Sequence, residues 1–318
     1  MIVSTVGLII IGLILVLMGA EALVRGSSSL ALRLGVSPLL IGLTIVAYGT
    51  SFPELIVSTK AALLGEGDIS MGNILGSNIF NIAFILGLSA IVRPMKVKSQ
   101  LVRMDTPVMI VVAGLLYFFF RDFLLTRIEG LLLFLGALIY TGVIIGLAHR
   151  ERMTANPAEN HLDEGLPHTL KNIWLDLGFI AVGFGLLFAG ANILVDNSVV
   201  LAQILGVSQA VIGLTIVAVG TSVPELATSI VAARRNQADI AIANVVGSNI
   251  FNILGILGIS SLIHPIQGID IKMLDLFWMI GTSVVLLPFL LSGFRLNRAE
   301  GLFLVLSYGV YMFILWPK

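Results

Sequence analysis

Two glutamates, Glu54 and Glu225, lie inside long apolar stretches of the chain. A charged side chain at the depth of a bilayer core is costly unless a partner neutralises it. No lysine or arginine lies at the same depth in either stretch, and the other carboxylates lie in loops or at the ends of stretches. The pattern therefore predicts that a bound cation neutralises the two carboxylates.

A proline precedes each glutamate and predicts a break in each helix. Pro53 and Pro224 lack an N–H and clash with the preceding turn, so the carbonyls of Gly49 and Gly220 should lose their helical partners. Freed carbonyls, together with the C-terminal end of the first half-helix, present negative partial charge to a cation.

Hydroxyl side chains beside the carboxylates extend an all-oxygen donor set: Thr50, Ser51, Thr221 and Ser222. Such donors suit hard ions such as Ca2+ and Na+, whereas zinc and copper prefer cysteine or histidine ligands. Ser-x-Pro-Glu is also a capping box, in which Ser51 and the glutamate satisfy the start of the second half-helix. The presence of two copies favours ion binding, and capping is a means of holding the glutamate.

Both motifs belong to an internal repeat with a constant offset of 171 residues. Residues 35–55, GVSPLLIGLTIVAYGTSFPEL, match residues 206–226, GVSQAVIGLTIVAVGTSVPEL, at 16 of 21 positions. Residues 73–82, NILGSNIFNI, match residues 244–253, NVVGSNIFNI, at 8 of 10 positions. A long repeat with intramembrane charge indicates a transporter built from two halves.

The GSNIFN motif places polar side chains four residues apart, on one face of a helix. We expect these side chains to line the ion path: Ser77, Asn81, Ser248 and Asn252. The alternative is that small and amide residues hold membrane helices together. We assign that second role to Asn78 and Asn249.

Composition places the chain in a membrane. With 58% hydrophobic residues, 11% charged residues and a mean hydropathy of +1.05, it has too little polar surface for a soluble globule. Stretches of bilayer-spanning length lie at residues 2–22, 37–62, 70–92, 105–120, 128–148, 173–195, 209–233, 240–263, 273–292 and 299–316. The sequence predicts an all-α polytopic membrane protein of ten transmembrane helices, with helices 2 and 7 broken. We expect a first five-helix repeat at residues 1–148, a connector at 149–172 and a second repeat at 173–318.

The positive residues predict the orientation. Thirteen of the 18 lysines and arginines fall on the side reached after the first span, which the positive-inside bias makes cytoplasmic. Both termini should then face outward and the connector should be cytoplasmic. Since each repeat has an odd number of spans, the two copies should be inverted relative to each other. Without a recognisable targeting segment, we expect the plasma membrane.

The doubled GTSFPE and GTSVPE motifs, each followed by a GSNIFN helix, resemble the alpha repeats of the calcium/cation antiporter superfamily. The resemblance is particularly to its prokaryotic sodium/calcium exchangers, and it covers nearly the whole chain. It implies alternating access by sliding of spans 1 and 6 across a core of spans 2, 3, 7 and 8. It also implies that both glutamates bind calcium and sodium, with hydroxyls and carbonyls completing the shell from Thr50, Ser51, Ser77, Thr221, Ser222, Ser248, Ala47 and Ala218.

Departures from the family pattern refine the expected ions. Potassium-dependent relatives carry an aspartate where this chain has Asn252, so K+ co-transport is not expected. Proton-coupled relatives usually carry GNATE-like motifs, whereas this chain carries GTSFPE and GTSVPE. This difference favours sodium as the driving ion here. The family suggests a third Na+ per Ca2+, which would make exchange electrogenic.

Other functions compete with Na+/Ca2+ exchange as explanations of these motifs. A Ca2+/H+ antiporter, in which Glu54 and Glu225 load protons, is the main alternative. A channel fits an inverted repeat less well, and an intramembrane aspartyl enzyme would need two close, deep aspartates. We expect no enzyme activity, no cofactor and no nucleic-acid partner; the partners are Ca2+, Na+ and the bilayer, and a monomer should suffice for transport.

The orientation can be tested on the connector. Protease added to intact cells should leave residues 151–171 uncut, whereas the same protease should cut them in inside-out vesicles. Cleavage from outside intact cells would contradict the predicted orientation.

Overall fold

The computed structural model describes residues 2–154, 170–204 and 218–315, and almost all of them are helical. The helices are α1 Ile2–Leu34, α2 Pro38–Thr50, α3 Phe52–Leu63, α4 Gly67–Val92, α5 Leu101–Phe119, α6 Arg127–Thr154, α7 Ile173–Ile204, α8 Ala218–Gly220, α9 Val223–Arg234, α10 Ala238–Ile263, α11 Met273–Leu291 and α12 Arg298–Leu315. Four of the loops between helices contain a two-residue strand: β1 Met95–Lys96, β2 Leu124–Leu125, β3 Ile266–Gln267 and β4 Arg295–Leu296.

The helices confirm a multi-pass membrane architecture. Among the described residues, eight helices are long and apolar enough to span a bilayer, and α2 with α3 makes a ninth if that bent pair is one span. Of the predicted stretch at 209–233, only the residues from 218 onward are described. The count of ten spans and the inverted arrangement therefore stay predictions.

Helix α6 is longer than expected: it continues to Thr154 and does not end at residue 148. The segment HRERMT contains no glycine or proline, so no local signal ends the helix there. The rest of the predicted connector, residues 155–169, lies outside the described part of the chain.

The loops gather at two ends of the molecule. Strands β1 and β4 pair antiparallel at one end, where Lys98 also forms an ion pair with Asp239. Strands β2 and β3 pair antiparallel at the other end, where the backbone N–H of Asp270 donates to Asp68. We call these the β1–β4 end and the β2–β3 end.

Helices α1 and α7 pack closely along their lengths, because glycines let their backbones approach. A β-carbon at any of five glycines would lie 2.6–2.8 Å from a backbone atom of the facing helix. These glycines are Gly12, Gly19 and Gly26 of α1 and Gly183 and Gly190 of α7. Small residues at such crossings are a general feature of membrane helix packing.

A buried ionic contact fixes the register of this pair. Asp176 of α7 is fully buried, and its carboxylate accepts hydrogen bonds from the Ser29 hydroxyl and the Arg33 guanidinium of α1. Arg33 also donates to the backbone carbonyl of Leu170. A carboxylate buried with a guanidinium and a hydroxyl has its charge compensated, so the contact can persist inside the protein.

The first helix break lies at Ser51, between Gly49 and Pro53. Helices α2 and α3 meet at Ser51, whose φ is −79° and ψ is 9°, and the two axes differ by 46°. Ser222 takes nearly the same conformation between α8 and α9, with φ of −91° and ψ of 8°. Pro53 and Pro224 occupy the first turn of the following helix, where proline's missing N–H costs nothing.

The α1–α7 contact makes a prediction about stability. Gly183→Leu should lower the free energy of unfolding by about 1–3 kcal/mol, because the new side chain would overlap the α1 backbone at Leu23. The thermal midpoint of the purified protein in detergent measures this change. Gly185→Leu is the matched control, since a β-carbon there meets nothing within 4 Å among the described residues; equal effects of both variants would contradict the packing role.

Candidate cation site

Glu54 and Glu225 face each other across the two repeats, and each is held by a serine of the other repeat. The Ser222 hydroxyl donates to Glu54 Oε1 at 3.0 Å, and the Ser51 hydroxyl donates to Glu225 Oε1 at 3.0 Å. Both glutamates are only 1% exposed. The Ser77 hydroxyl lies 3.5 Å from the same oxygen of Glu54. The structure therefore brings together both predicted carboxylates and three of the predicted hydroxyls.

One oxygen of each carboxylate has no partner among the described residues. Glu54 Oε2 and Glu225 Oε2 are buried and accept no hydrogen bond from any described residue. Within the same part of the chain, neither glutamate takes part in an ion pair, and no group of three or more His, Cys, Asp or Glu side chains is formed. Buried unpaired oxygens are costly, and a hard cation is the partner that would satisfy them.

Two asparagines that the sequence analysis did not assign hold the broken helices in place. The Asn73 amide donates to the Ser58 hydroxyl at 2.9 Å and to the Glu54 backbone carbonyl at 3.4 Å. Its oxygen accepts from the Thr221 hydroxyl of the other repeat at 3.4 Å. Asn73 thus connects the backbone of one half-site to a hydroxyl of the other.

Asn244 makes the matched contacts in the second repeat. It donates to Ser229 at 3.0 Å and to the Glu225 backbone carbonyl at 3.4 Å, and it accepts from the Thr50 hydroxyl at 3.1 Å. Asn73 and Asn244 differ by the repeat offset and begin the two matched decapeptides. That position in the repeat was the available signal for them.

The remaining predicted ligands lie close to this network. The Ala47 carbonyl accepts from the Ser51 N–H at 3.1 Å and from the Ser248 hydroxyl at 3.3 Å, so it is not left free by the break. Ala218 is the first residue of α8, directly before the second break.

The two glycines beside the breaks serve packing. Gly49 and Gly220 both lie inside helical turns before the breaks. A β-carbon at Gly49 would lie 2.0 Å from the Phe184 ring, and one at Gly220 would lie 2.8 Å from Val195. Because both neighbours belong to α7, these glycines let that helix approach the site.

Four amides join α4 to α10 where the GSNIFN motifs cross. The Asn81 side chain donates to Asn249 Oδ1 and the Asn252 side chain donates to Asn78 Oδ1, both at 2.9 Å. Asn78 and Asn249 also donate to each other's backbone carbonyls at 3.3 and 3.1 Å. Asn81 and Asn252 therefore contribute to helix contact, and their own Oδ1 atoms are buried without a partner in the described part of the chain.

Three further carboxylates near span ends are also buried. Besides Asp176, Asp105 accepts from the Tyr140 hydroxyl at 3.1 Å and Asp275 accepts from the Tyr311 hydroxyl at 3.0 Å. Each of the three is tied to a side chain of a neighbouring helix.

Among the described residues, a cavity of about 430 Å³ lies beside the polar network that holds Glu54, toward the β2–β3 end. Asp68 and Asp275 line its outer part, and Asn73 and Thr221 line its inner part. Phe80 and Met312 are among the apolar residues of its wall. The cavity therefore borders the residues that hold Glu54.

Comparison with known proteins agrees with this geometry. The family model described as "Sodium/calcium exchanger protein" matches residues 4–146 and 175–316. The chain belongs to the sodium/calcium exchanger family. Because members of this family are transporters, the chain is a multi-pass cation/Ca2+ antiporter.

Similar relatives cover most of the chain. The sodium/calcium exchanger MaX1 of Methanosarcina acetivorans is 32% identical, and the alignment covers 97% of both chains. The inner membrane protein YrbG of Escherichia coli is 40% identical over 81% of this chain and 79% of its own. A solved structure of the sodium-calcium exchanger NCX_Mj, soaked with Na+ and Ca2+, covers 100% of both chains at 30% identity with a TM-score of 0.85.

The amide contacts predict an effect on ion affinity. Asn73→Ala should raise the apparent KM for Ca2+ about tenfold, because losing a buried hydrogen bond costs about 1–3 kcal/mol and here loosens both half-sites. Transport kinetics in proteoliposomes measure KM and kcat separately. Asn197→Ala removes an amide that, among the described residues, bonds within α7, and it should leave KM unchanged. An unchanged KM in Asn73→Ala would contradict the positioning role.

Proposed function

We propose that the chain is a secondary active antiporter that exchanges Na+ for Ca2+ by alternating access. The observation that carries the proposal is the facing pair Glu54 and Glu225. Each is held by a serine of the opposite repeat, and each has one buried oxygen that no described residue bonds. The relatives named as sodium/calcium exchangers support the choice of ions.

The charge of the site suits both ions. Two carboxylates are neutralised by one Ca2+ or by two Na+, so either load lets the site cross a low-dielectric barrier. Hydroxyl and carbonyl oxygens supply the additional ligands that these hard cations take. We assign that role to Thr50, Ser51, Ser77, Thr221, Ser222, Ser248, Ala47 and Ala218, with Asn81 and Asn252 lining the path. A third Na+ would carry one net charge per cycle and make exchange electrogenic.

The moving element is proposed to be the α1–α7 pair. Close glycine contacts and the ion pair of Arg33 with the buried Asp176 join these two helices, so they can move as one body. Gly49 and Gly220 let α7 lie directly against the two breaks, so sliding of this pair would alter access to the site. Matched residues at an offset of 171 make the crossed contacts, which supports two inverted repeats at residues 1–148 and 173–318.

Orientation and setting follow from the charge distribution. The β1–β4 end carries most of the positive side chains, including Arg93, Lys96, Arg234 and Arg295, so we place it in the cytoplasm and both termini outside. A plasma-membrane location and transport by one copy complete the proposal. Asn252 in place of an aspartate is the reason to expect no K+ requirement.

Uptake of radioactive Ca2+ into proteoliposomes tests this function. Uptake should require an outward Na+ gradient, should not require K+, and should be faster at an inside-positive potential, since three Na+ leave for each Ca2+ that enters. Glu54→Gln and Glu225→Gln should each reduce uptake to background. Glu129→Gln, a carboxylate that caps α6, should leave uptake unchanged.

The alternative outcomes are distinct. Uptake that follows a proton gradient without Na+ would replace Na+ coupling with Ca2+/H+ antiport. No uptake under any gradient, in protein that still melts cooperatively, would contradict Ca2+ transport itself.

A further inference from the structure

An ion pair joins α1 to the end of α9. The guanidinium of Arg235 contacts the carboxylate of Glu21 at two points: Nε donates to Glu21 Oε2 at 2.5 Å, and Nη2 lies against Oε1. Two parallel contacts of this kind fix the orientation of an arginine on a carboxylate as well as their distance. The side chains of Glu21 and Arg235 are 32% and 37% exposed, so the pair is only partly solvated.

Glu21 is fixed to the α1–α7 pair. It lies between Gly19 and Gly26, two of the glycines at which α7 packs against the α1 backbone. Arg25, one turn further along α1, also contacts Glu21, with 2.7 Å between Arg25 Nε and Glu21 Oε1. Residues four apart are neighbours on a helix surface, so the carboxylate is oriented from within α1.

Arg235 is fixed to the half-helix that carries Glu225. It directly follows the last residue of α9, and Glu225 lies in the first turn of that helix. The chain turns after Arg235 because Asn236 takes the left-handed conformation, with φ of 64°, which asparagine tolerates at helix ends. Arg93, at the end of α4, donates to the Arg234 carbonyl at 3.4 Å. The end of α9 is therefore attached to α4.

The ion pair thus connects the two bodies that alternating access would move past each other. Sliding of the α1–α7 pair would break a contact that needs two nitrogens to face two oxygens at hydrogen-bond distance. At an offset of 171, Glu21 corresponds to Asn192 and Arg235 to Leu64. Asparagine and leucine carry no charge, so an exchange of conformations between the repeats would lose the ion pair without forming a counterpart.

We propose that Glu21 and Arg235 form a latch that holds the α1–α7 pair against α9, and that this latch opens in each transport cycle. The inference rests on the alternating access proposed above. A partly exposed ion pair shifts an equilibrium between two arrangements by up to about fivefold. The latch therefore favours the present arrangement and still lets the molecule leave it.

Distances between two spin labels test the latch in purified protein. The natural chain contains no cysteine, so labels can be attached at Met18→Cys of α1 and Val92→Cys of α4, two exposed positions. Pulsed electron paramagnetic resonance should show one main distance while the latch is intact. Glu21→Gln should enlarge the population at a second distance about fivefold, because Arg25 and Arg235 then face each other without their shared anion.

Graded variants and a matched control complete the design. Arg235→Gln should enlarge the second population less than Glu21→Gln does, since Arg25 still neutralises Glu21. Arg25→Gln keeps the two-point contact and should change the distances little. Lys98→Gln removes an ion pair with Asp239 that lies at the β1–β4 end, is also partly exposed and involves neither α1 nor α7, so it should leave the distances unchanged. Thermal midpoints report whether each variant is folded.

A cross-link tests whether the latch must open. Glu21→Cys and Arg235→Cys can be joined by a short bifunctional thiol reagent that itself contains a disulfide. Joining them should stop Ca2+ uptake in proteoliposomes, and reduction of the reagent should restore the uptake measured before joining. Lys98→Cys joined to Asp239→Cys in the same way should continue to transport.

The outcomes separate this inference from the proposed function. Unchanged distances in folded Glu21→Gln, an equal change in Lys98→Gln, or full uptake by the cross-linked 21–235 variant would overturn the latch. The distances need no transport, so they do not depend on whether Na+ or H+ is the driving ion. Failure of Ca2+ uptake in the natural chain would contradict the proposed function and leave the distance result intact.

Discussion

The structure depends on the cost of keeping two carboxylates inside an apolar span without a protein cation beside them. Glu54 and Glu225 each bond through one oxygen to a serine of the other repeat, and the second oxygen is buried without a partner in the described part of the chain. Such a pair is costly when empty and stable when a cation bridges it. That balance is what a transport site requires, because the site must bind its ion and also release it.

The surrounding polar network holds the carboxylates at this position. Breaks at Ser51 and Ser222 turn the following half-helices so that each glutamate lies in a first turn. Asn73 and Asn244 then attach the backbone of each half-site to a threonine of the other. Movement of one half-site is therefore transmitted to its partner, so both sets of ligands can respond together when an ion leaves.

Access to the site is controlled by packing against it. Glycines let α7 lie against the α2 and α8 turns, and further glycines join α7 to α1. The buried Asp176 and the partly exposed Arg33 keep that pair in register.

The sequence by itself determined the class of the protein, the two carboxylates and their hydroxyl neighbours, because apolar length, buried charge and a repeated motif are local features. It also predicted most helix bounds. It ended α1, α6 and α7 at residues 22, 148 and 195, whereas these helices continue to residues 34, 154 and 204. Only the tertiary structure decided which serine holds which glutamate, that Gly49 and Gly220 serve packing, and that Asn73 and Asn244 join the half-sites. Those contacts connect residues about 150 to 200 positions apart in sequence, and their partners depend on how helices cross, which periodicity and spacing do not encode.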